Sequence, residues 1–190
     1  MNHIGEITKS LTTIGEMLAD RGIATTNLNR LSRAEVQGIV SARNIFSIAT
    51  SQDNSIVVIY DLSPKLVWKD TKKYIDSLDP EPKLIIIVVR NSADIRKIVG
   101  MDEDHQVFSL NELQFNRSHH VLVPKHELIN DGAAIARIFE ECQIQKGSQL
   151  PIILKTDPMA KYLNAKPGNV IKVLRVSPTC GENVVYRFVA

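Results

Sequence analysis

The chain has 190 residues, of which 44% are hydrophobic and 23% charged, an ordinary globular composition long enough for one typical domain or two small ones. A formal net charge of +2 is too small to announce a nucleic-acid binder through its field alone. The two cysteines, Cys142 and Cys180, form no C-x-x-C pair, which excludes a zinc ribbon, and two free thiols suit a reducing compartment.

In chain order, Ile4, Ile7, Leu11, Ile14 and Leu18 follow three- and four-residue steps, which predicts an amphipathic helix stopped by Gly22. Met1 to Glu6 lack the basic and apolar regions of a signal peptide, so the expectation is a soluble intracellular protein. Ser32, with Glu35 three residues on, predicts a second helix to about Ala42. Ile45–Ala49 and Ser55–Asp61 read as strands around a Ser51–Asn54 turn. Pro64, Val67, Thr71, Tyr74, Ile75 and Leu78 predict another helix, broken by Asp79-Pro80-Glu81-Pro82. The β-branched run Lys83–Val89 is too short to span a membrane. It reads as the central strand of a sheet covered on both faces. Asn91 or Ser92 caps a helix to Val99, ended by Gly100, and His105–Leu110 is one more strand. Helices alternating with strands predict a mixed or parallel sheet with helices on its faces. The boundary of this α/β part falls at Leu113–Ser118.

Beyond it, Asp131–Glu141 predicts a helix with Ile135, Ile138, Phe139 and Cys142 on one side, closed by Gly147-Ser148. Gln149-Leu150-Pro151 leads into a strand at Ile152–Lys155. Asp157 caps a short helix with Pro158 in its first position, and Met159, Tyr162 and Leu163 share one face. Asn164 to Gly168 turns the chain into the strand Asn169–Val176. A seven-residue gap, Ser177–Asn183, then separates it from the strand Val184–Val189, as in a hairpin with a longer loop.

Little of this carries catalytic chemistry. There is no G-x-S-x-G and no phosphate loop. His119, His120 and His126 fall within eight residues, but strand alternation puts His120 and His126 on one face and far apart, with no ligand spacing. His126 reads as a packing or hydrogen-bonding residue beside the Val123-Pro124 bend. Arg175 and Arg187, with Lys172 nearby, sit on the two strands of the predicted hairpin. They fork either onto a partner's carboxylates or carbonyls or onto an internal acid such as Asp157. Tyr162 and Tyr186 read as core residues with a polar edge.

One ordered set of residues identifies a family. Gln149-Leu150-Pro151, Asp157-Pro158, Ala160, Tyr162, Gly168, Val170, Lys172, Arg175, Ser177, Gly181 and Tyr186-Arg187 stand in the order and spacing of the fifth subunit shared by the eukaryotic nuclear RNA polymerases. The archaeal polymerase has a small counterpart that corresponds to its second domain. His120-Val121-Leu122-Val123-Pro124-Lys125-His126 resembles the segment that opens that domain, and the likeness covers residues 118–190. Asp20-Arg21-Gly22-Ile23 resembles the start of the family's first domain.

The resemblance implies two domains. Residues 1–117 would be an α/β jaw domain beside the downstream duplex DNA, with a mixed sheet flanked by helices and a nuclease-like fold. Residues 118–190 would be a small α+β assembly domain with an antiparallel sheet, docking on the largest polymerase subunit. His120, Val123, Pro124, His126, Gln149, Leu150, Pro151, Asp157, Pro158, Tyr162, Gly168, Lys172, Arg175, Gly181, Tyr186 and Arg187 are then the motif and subunit-interface residues. No catalytic or metal-ligating residue and no cofactor is expected in this chain; Mg and Zn belong to other subunits. DNA contacts of the jaw would be electrostatic and independent of sequence.

The archaeal counterpart lacks a jaw, so a first domain implies a eukaryotic-type protein, from a eukaryote or from a large DNA virus. A short first domain, Cys180 where the family more often has Ala, and the Pro167-Gly168 turn favour a virus-encoded copy. The expected location is the nucleus for a cellular protein and the virion and host cytoplasm for a viral one. Two alternatives belong to other classes. One is a transcription adaptor that uses the second domain for docking. The other is a stand-alone metal-dependent nuclease with Asp53, Asp61 and Glu81-Pro82-Lys83 as its nearest acids and lysine.

Overall fold

The computed structural model describes residues 4–23, 37, 45–50, 56–63, 66–78, 82–99, 105–177 and 181–190. The chain divides into two compact units, Met1–Asn116 and Arg117–Ala190. Together they make a mixed α/β structure with two four-stranded sheets among the described residues. No described helix is long and apolar enough to cross a membrane.

The first unit opens with α1 (Ile4–Asp20), which buries Ile7, Leu11, Ile14, Met17 and Leu18 along one stripe. Each such side chain contributes about 2 kcal/mol on burial. The helix stops as the sequence predicts. Gly22 takes φ +77°, and the Ile23 N–H reaches back to the Leu18 carbonyl at 2.9 Å, a Schellman closure that only a residue tolerant of positive φ makes cheaply.

The strands β1 (Ile45–Ala49), β2 (Ile56–Asp61), β3 (Leu84–Val89) and β4 (Gln106–Ser109) lie in the order β1-β2-β3-β4. β1 is antiparallel to β2, with Ile45 opposite Asp61; β2–β3 and β3–β4 are parallel. β3 is an interior strand, as its unbroken apolar run predicts. Alternation sends Val57, Ile59, Ile85, Ile87 and Val89 to one face. There they pack with Leu66 and with residues of α2 (Trp68–Asp76) and α3 (Ser92–Val99): Trp68, Tyr74, Ile75, Ile95 and Ile98. Tyr60 points to the opposite face, where its hydroxyl meets Ser10 of α1 at 2.8 Å. Burial pushes the Tyr60 phenol well above its ordinary range, and the Ser10 hydrogen bond offsets this only in part.

β4 ends one residue earlier than its apolar pattern suggests. Ser109 caps a 3-10 helix, Leu110–Leu113, accepting from the Glu112 N–H at 3.3 Å while the Glu112 carboxylate accepts from the Ser109 N–H at 3.2 Å. The predicted helix from Ser32 to Ala42 lies outside the described residues except for Gln37. The Ser51–Asn54 turn, Pro64, the Asp79–Glu81 break and the Gly100 stop lie outside them altogether.

In the second unit, β5 (Lys125–Ile129), β6 (Ile152–Ile153), β7 (Val170–Ser177) and β8 (Gly181–Val189) lie in the order β5-β7-β8-β6. β7 is antiparallel to both β5 and β8, and only the two-residue β6 runs parallel to β8. α4 (Gly132–Glu141), capped by Asp131 through the N–H groups of Ala133 and Ala134, lays Ile138 onto Leu150 and Val170. Ile129, Ile135, Phe139, Tyr186 and Phe188 complete that core. α5 (Pro158–Tyr162) buries Met159, Ala160 and Tyr162, and Leu163, just past its end, is buried with them.

Three expectations are corrected here. Cys142 does not share the apolar side of α4; it is the exposed C-cap, because the helix ends there and Gln143 turns to φ +54°. β6 stops at Ile153 rather than Lys155, because the chain turns, with the Asp157 N–H on the Leu154 carbonyl at 2.9 Å. The hairpin gap is shorter than predicted. β8 begins at Gly181, so Glu182 and Asn183 pair with Val176 and Arg175. Polar residues join this ladder because its distal end is exposed, where strand pairing asks for no apolar side chain.

Candidate docking surface of the second unit

Most of the motif residues build the backbone frame of this unit. Asp157 Oδ1 accepts the Met159 N–H at 2.8 Å, with Pro158 in the first helical position. Gln149 Oε1 accepts the N–H groups of Gln145 and Lys146 at 2.7 and 2.9 Å, stapling the turn before β6. Leu150 is core, and the Pro151 carbonyl accepts the Phe188 N–H at 2.9 Å. Gly168 and Gly181 have φ of +94° and +69°, a region that a Cβ disfavours. Tyr162 is buried, with its hydroxyl taking a 3.3 Å hydrogen bond from Ser118.

The opening segment forms turns, not a strand. His120 lies before β5; its ring Nδ1 accepts the Leu122 N–H at 3.2 Å, and the Val123 N–H donates to the His120 carbonyl at 2.8 Å. His126 does lie on β5, with its Nδ1 2.6 Å from the Pro124 carbonyl. The two histidines therefore do not share a strand face as expected, because the bend at Val123-Pro124 intervenes. Among the described residues no three His, Cys, Asp or Glu side chains are grouped to hold a metal ion.

The basic residues divide by parity. Arg175 and Arg187 fall on one face of the β7–β8 hairpin, opposite Asn183 and Ile171 in the register. Lys172 is three residues from Arg175 and so lies on the other face, not beside it. There it meets Glu127, its direct cross-strand neighbour, at 3.5 Å, while Lys125 meets the same carboxylate at 2.8 Å. The Lys125 hydrogen bond is the main influence holding the Glu127 carboxyl below the usual carboxylate range, and the charges of Lys125 and Lys172 add to it against a desolvation penalty. The suggested bridge to Asp157 is not formed. Among the described residues neither Arg175 nor Arg187 has an ion-pair partner, and Asp157 is occupied as a helix cap.

Sequence reasoning gives Glu127 no ion-pair role and takes Gly147 only as the stop of the preceding helix. Glu127 becomes relevant only through its cross-strand register with Lys172. Gly147 lies against Phe188 so closely that a Cβ there would collide with the ring. Its only sequence signal is a glycine between two helical segments.

In the first unit, Asp53 and Glu81 lie outside the described residues, and Lys83 is exposed. Asp61 is buried. Its Oδ2 accepts from Thr71 Oγ1 at 2.7 Å and its Oδ1 from the Ser63 N–H at 3.1 Å. That arrangement ties the end of β2 to α2, with both carboxylate oxygens engaged.

The second unit is thus a frame of caps, turns and paired strands that presents edges, apolar side chains and fixed charges. Residues 115–189 match the family described as RNA polymerase Rpb5, C-terminal domain. The chain is 29% identical to DNA-directed RNA polymerases I, II, and III subunit rpabc1 of Dictyostelium discoideum, over 98% of each chain. It is 49% identical to DNA-directed RNA polymerase subunit Rpo5 of Metallosphaera sedula, over 37% of this chain and 82% of that one. It is 46% identical to the Rpo5 subunit of Sulfurisphaera tokodaii, over 43% and 94%. The chain belongs to this family, that of the Rpb5 and Rpo5 subunits of DNA-directed RNA polymerase.

Proposed function

We propose that this protein is a structural subunit of a DNA-directed RNA polymerase, taking part in DNA-templated transcription, with its second unit docked on the largest subunit. One observation carries the reading: residues 115–189, nearly the whole second unit, match the Rpb5 C-terminal domain family, and a stretch of 70 residues of the chain covers 82% of a small archaeal polymerase subunit at 49% identity. The frame of that unit suits the role, since caps and turns at Asp157, Gln149, Gly168 and Gly181 hold a rigid surface without any reacting group. The first unit acts as part of the lower jaw around downstream DNA. Lys69, Lys72 and Lys73 stand exposed along α2 at helical spacing, where they suit phosphate contacts that ignore base sequence. Asp70 and Asp76 interrupt that stripe, so the field is modest and works alongside that of the other subunits. The protein's location follows the enzyme it joins, the nucleus for a cellular polymerase and the virion and host cytoplasm for a virus-encoded one.

Co-expression with the polymerase tests this. The full chain should elute with the largest subunit through size exclusion in an enzyme active on a DNA template. Its absence from the active enzyme overturns the reading. Cleavage of linear or branched DNA by the pure chain with Mg²⁺, lost on Asp61→Asn in a variant that keeps the wild-type urea midpoint, would instead establish the nuclease alternative.

A further inference from the structure

The outer edge of β8 is left open along most of its length. β6 covers only Phe188 and Val189. The hydrogen bonds at that end fix which residues turn their backbone outward. The Phe188 N–H goes to Pro151 and the Ala190 N–H to Ile153, whereas the Val189 N–H goes the other way, to Asn169. The register with β7 then runs without a bulge from Val170–Phe188 to Ser177–Gly181. Strand alternation therefore aims the N–H and C=O of Glu182, Val184 and Tyr186 away from the sheet. Among the described residues these groups have no backbone partner.

Open edges of this kind are ordinarily blunted by Pro, Lys, a bulge or a covering segment. Between Gly181 and Val189 there is no Pro, no Lys and no bulge. The open stretch is roughly 14 Å long at the strand rise of about 3.4 Å per residue, room for a strand of about five residues.

The two faces beside this edge differ in chemistry. On one face Val176 is 81% exposed and Val184 41% exposed; Val184 pairs with Leu174, and Val176 pairs with Glu182 at the distal end of the hairpin. The other face carries Arg175 and Arg187, without a carboxylate partner among the described residues. A strand laid along the edge would put alternate side chains beside each set. Burial favours apolar residues beside Val184. The planar guanidinium of Arg187 favours a carboxylate that it can grip with two hydrogen bonds. A second copy of β8 meets the first condition and not the second. Its own Asn183, Val185 and Arg187 would occupy the basic face and bring no acid.

We infer that the β8 edge takes up an extended segment of a neighbouring polymerase subunit as a fifth strand of this sheet, with apolar residues toward Val184 and acidic residues toward Arg187. The inference rests on the subunit reading above and adds the mode of attachment and the pattern of the segment.

Hydrogen exchange resolved to single amides tests it on the full chain, free and within the purified polymerase. In the free chain the amides of Glu182, Val184 and Tyr186 exchange fast while those of Asn183, Val185 and Arg187 are protected. In the enzyme the first three slow by at least about 100-fold. Val184→Pro removes an outward N–H without touching the β7 ladder, and lowers retention of the chain by about tenfold in competition with wild type. Arg187→Glu does the same, and Arg187→Lys retains part of the binding. The free-chain protection of Val185 and Arg187 shows whether the proline variant keeps its hairpin; if it does not, the wild-type exchange data decide alone. Unchanged exchange of the three amides in an enzyme that holds the chain overturns the inference and leaves the subunit reading intact. Protection that appears in the free chain as its concentration rises makes a second copy the occupant and also overturns it. A polymerase that lacks the chain removes both readings together.

Discussion

Replacing Asp61 by Ala tests whether this carboxylate is an anchor rather than part of a reactive site. Asp61 is 2% exposed, and it accepts hydrogen bonds from Thr71 Oγ1 at 2.7 Å and the Ser63 N–H at 3.1 Å. Hydrogen bonds to a charged group contribute about 1.5–3 kcal/mol each, and an orphaned buried polar group costs about 1–3 kcal/mol. Thr71 is fully buried, so its hydroxyl would be orphaned. These contributions overlap, and a net loss of about 3 kcal/mol is the expected result. The assay is built into the molecule. Trp68 is the only tryptophan of the chain; it begins α2 and packs against the core of the first unit. Its emission during urea unfolding therefore reports that unit. With m near 2 kcal/mol per M, the midpoint falls by about 1.5 M. Thr71→Val removes the hydroxyl that would be orphaned, so the double variant loses less than the sum of the singles by about 1 kcal/mol. A midpoint shift below about 0.3 M for Asp61→Ala, or strict additivity with Thr71→Val, refutes the anchoring role.

Three further outcomes follow from the second unit. Gly147→Ala drives a methyl into the Phe188 ring and should destabilise the unit by about 1–3 kcal/mol, read from the Val170 and Val189 methyl resonances in urea; no change would mean that the ring moves aside freely. Asp157→Ala removes the cap of α5 and should cost about 1 kcal/mol, with most of the loss restored by Asn; faster exchange of the Met159 amide is the local readout. The Glu127 carboxyl is held low by Lys125, so its contribution is present above the ordinary carboxylate range and is lost as pH falls through its lowered value. Lys125→Ala should bring the Glu127 titration, followed by NMR, back toward the ordinary range. The accompanying change in the urea midpoint should be too small to resolve, because an exposed pair is screened by solvent.

The helices and the interior strand of the first unit are legible because their signals are local. The stripe Ile7–Leu18 with Gly22 behind it, and the run Leu84–Val89, specify their elements through period and capping, whatever packs against them. The same is true of Asp157-Pro158, where the cap and the first helical residue are neighbours in sequence. The family is legible for another reason. The ordered residues from Gln149 to Arg187 include caps, staples and left-handed glycines, positions at which the backbone accepts few residue types. Errors arise where partners are distant. The polar character of Glu182 and Asn183 suggests too long a hairpin loop, yet pairing with Val176 and Arg175 draws both residues into the ladder.

Local pattern in the chain therefore settles which segments become helix or strand, where several of them stop, and to which family of polymerase subunits the protein belongs. Packing in three dimensions was needed to decide that Lys172 bonds to Glu127 on one face while Arg175 and Arg187 stand on the other, and that β8 keeps an open edge. Propensity and capping act over a few residues, whereas register joins strands far apart in the chain. A displacement of one residue in that register would turn every one of these side chains to the opposite face.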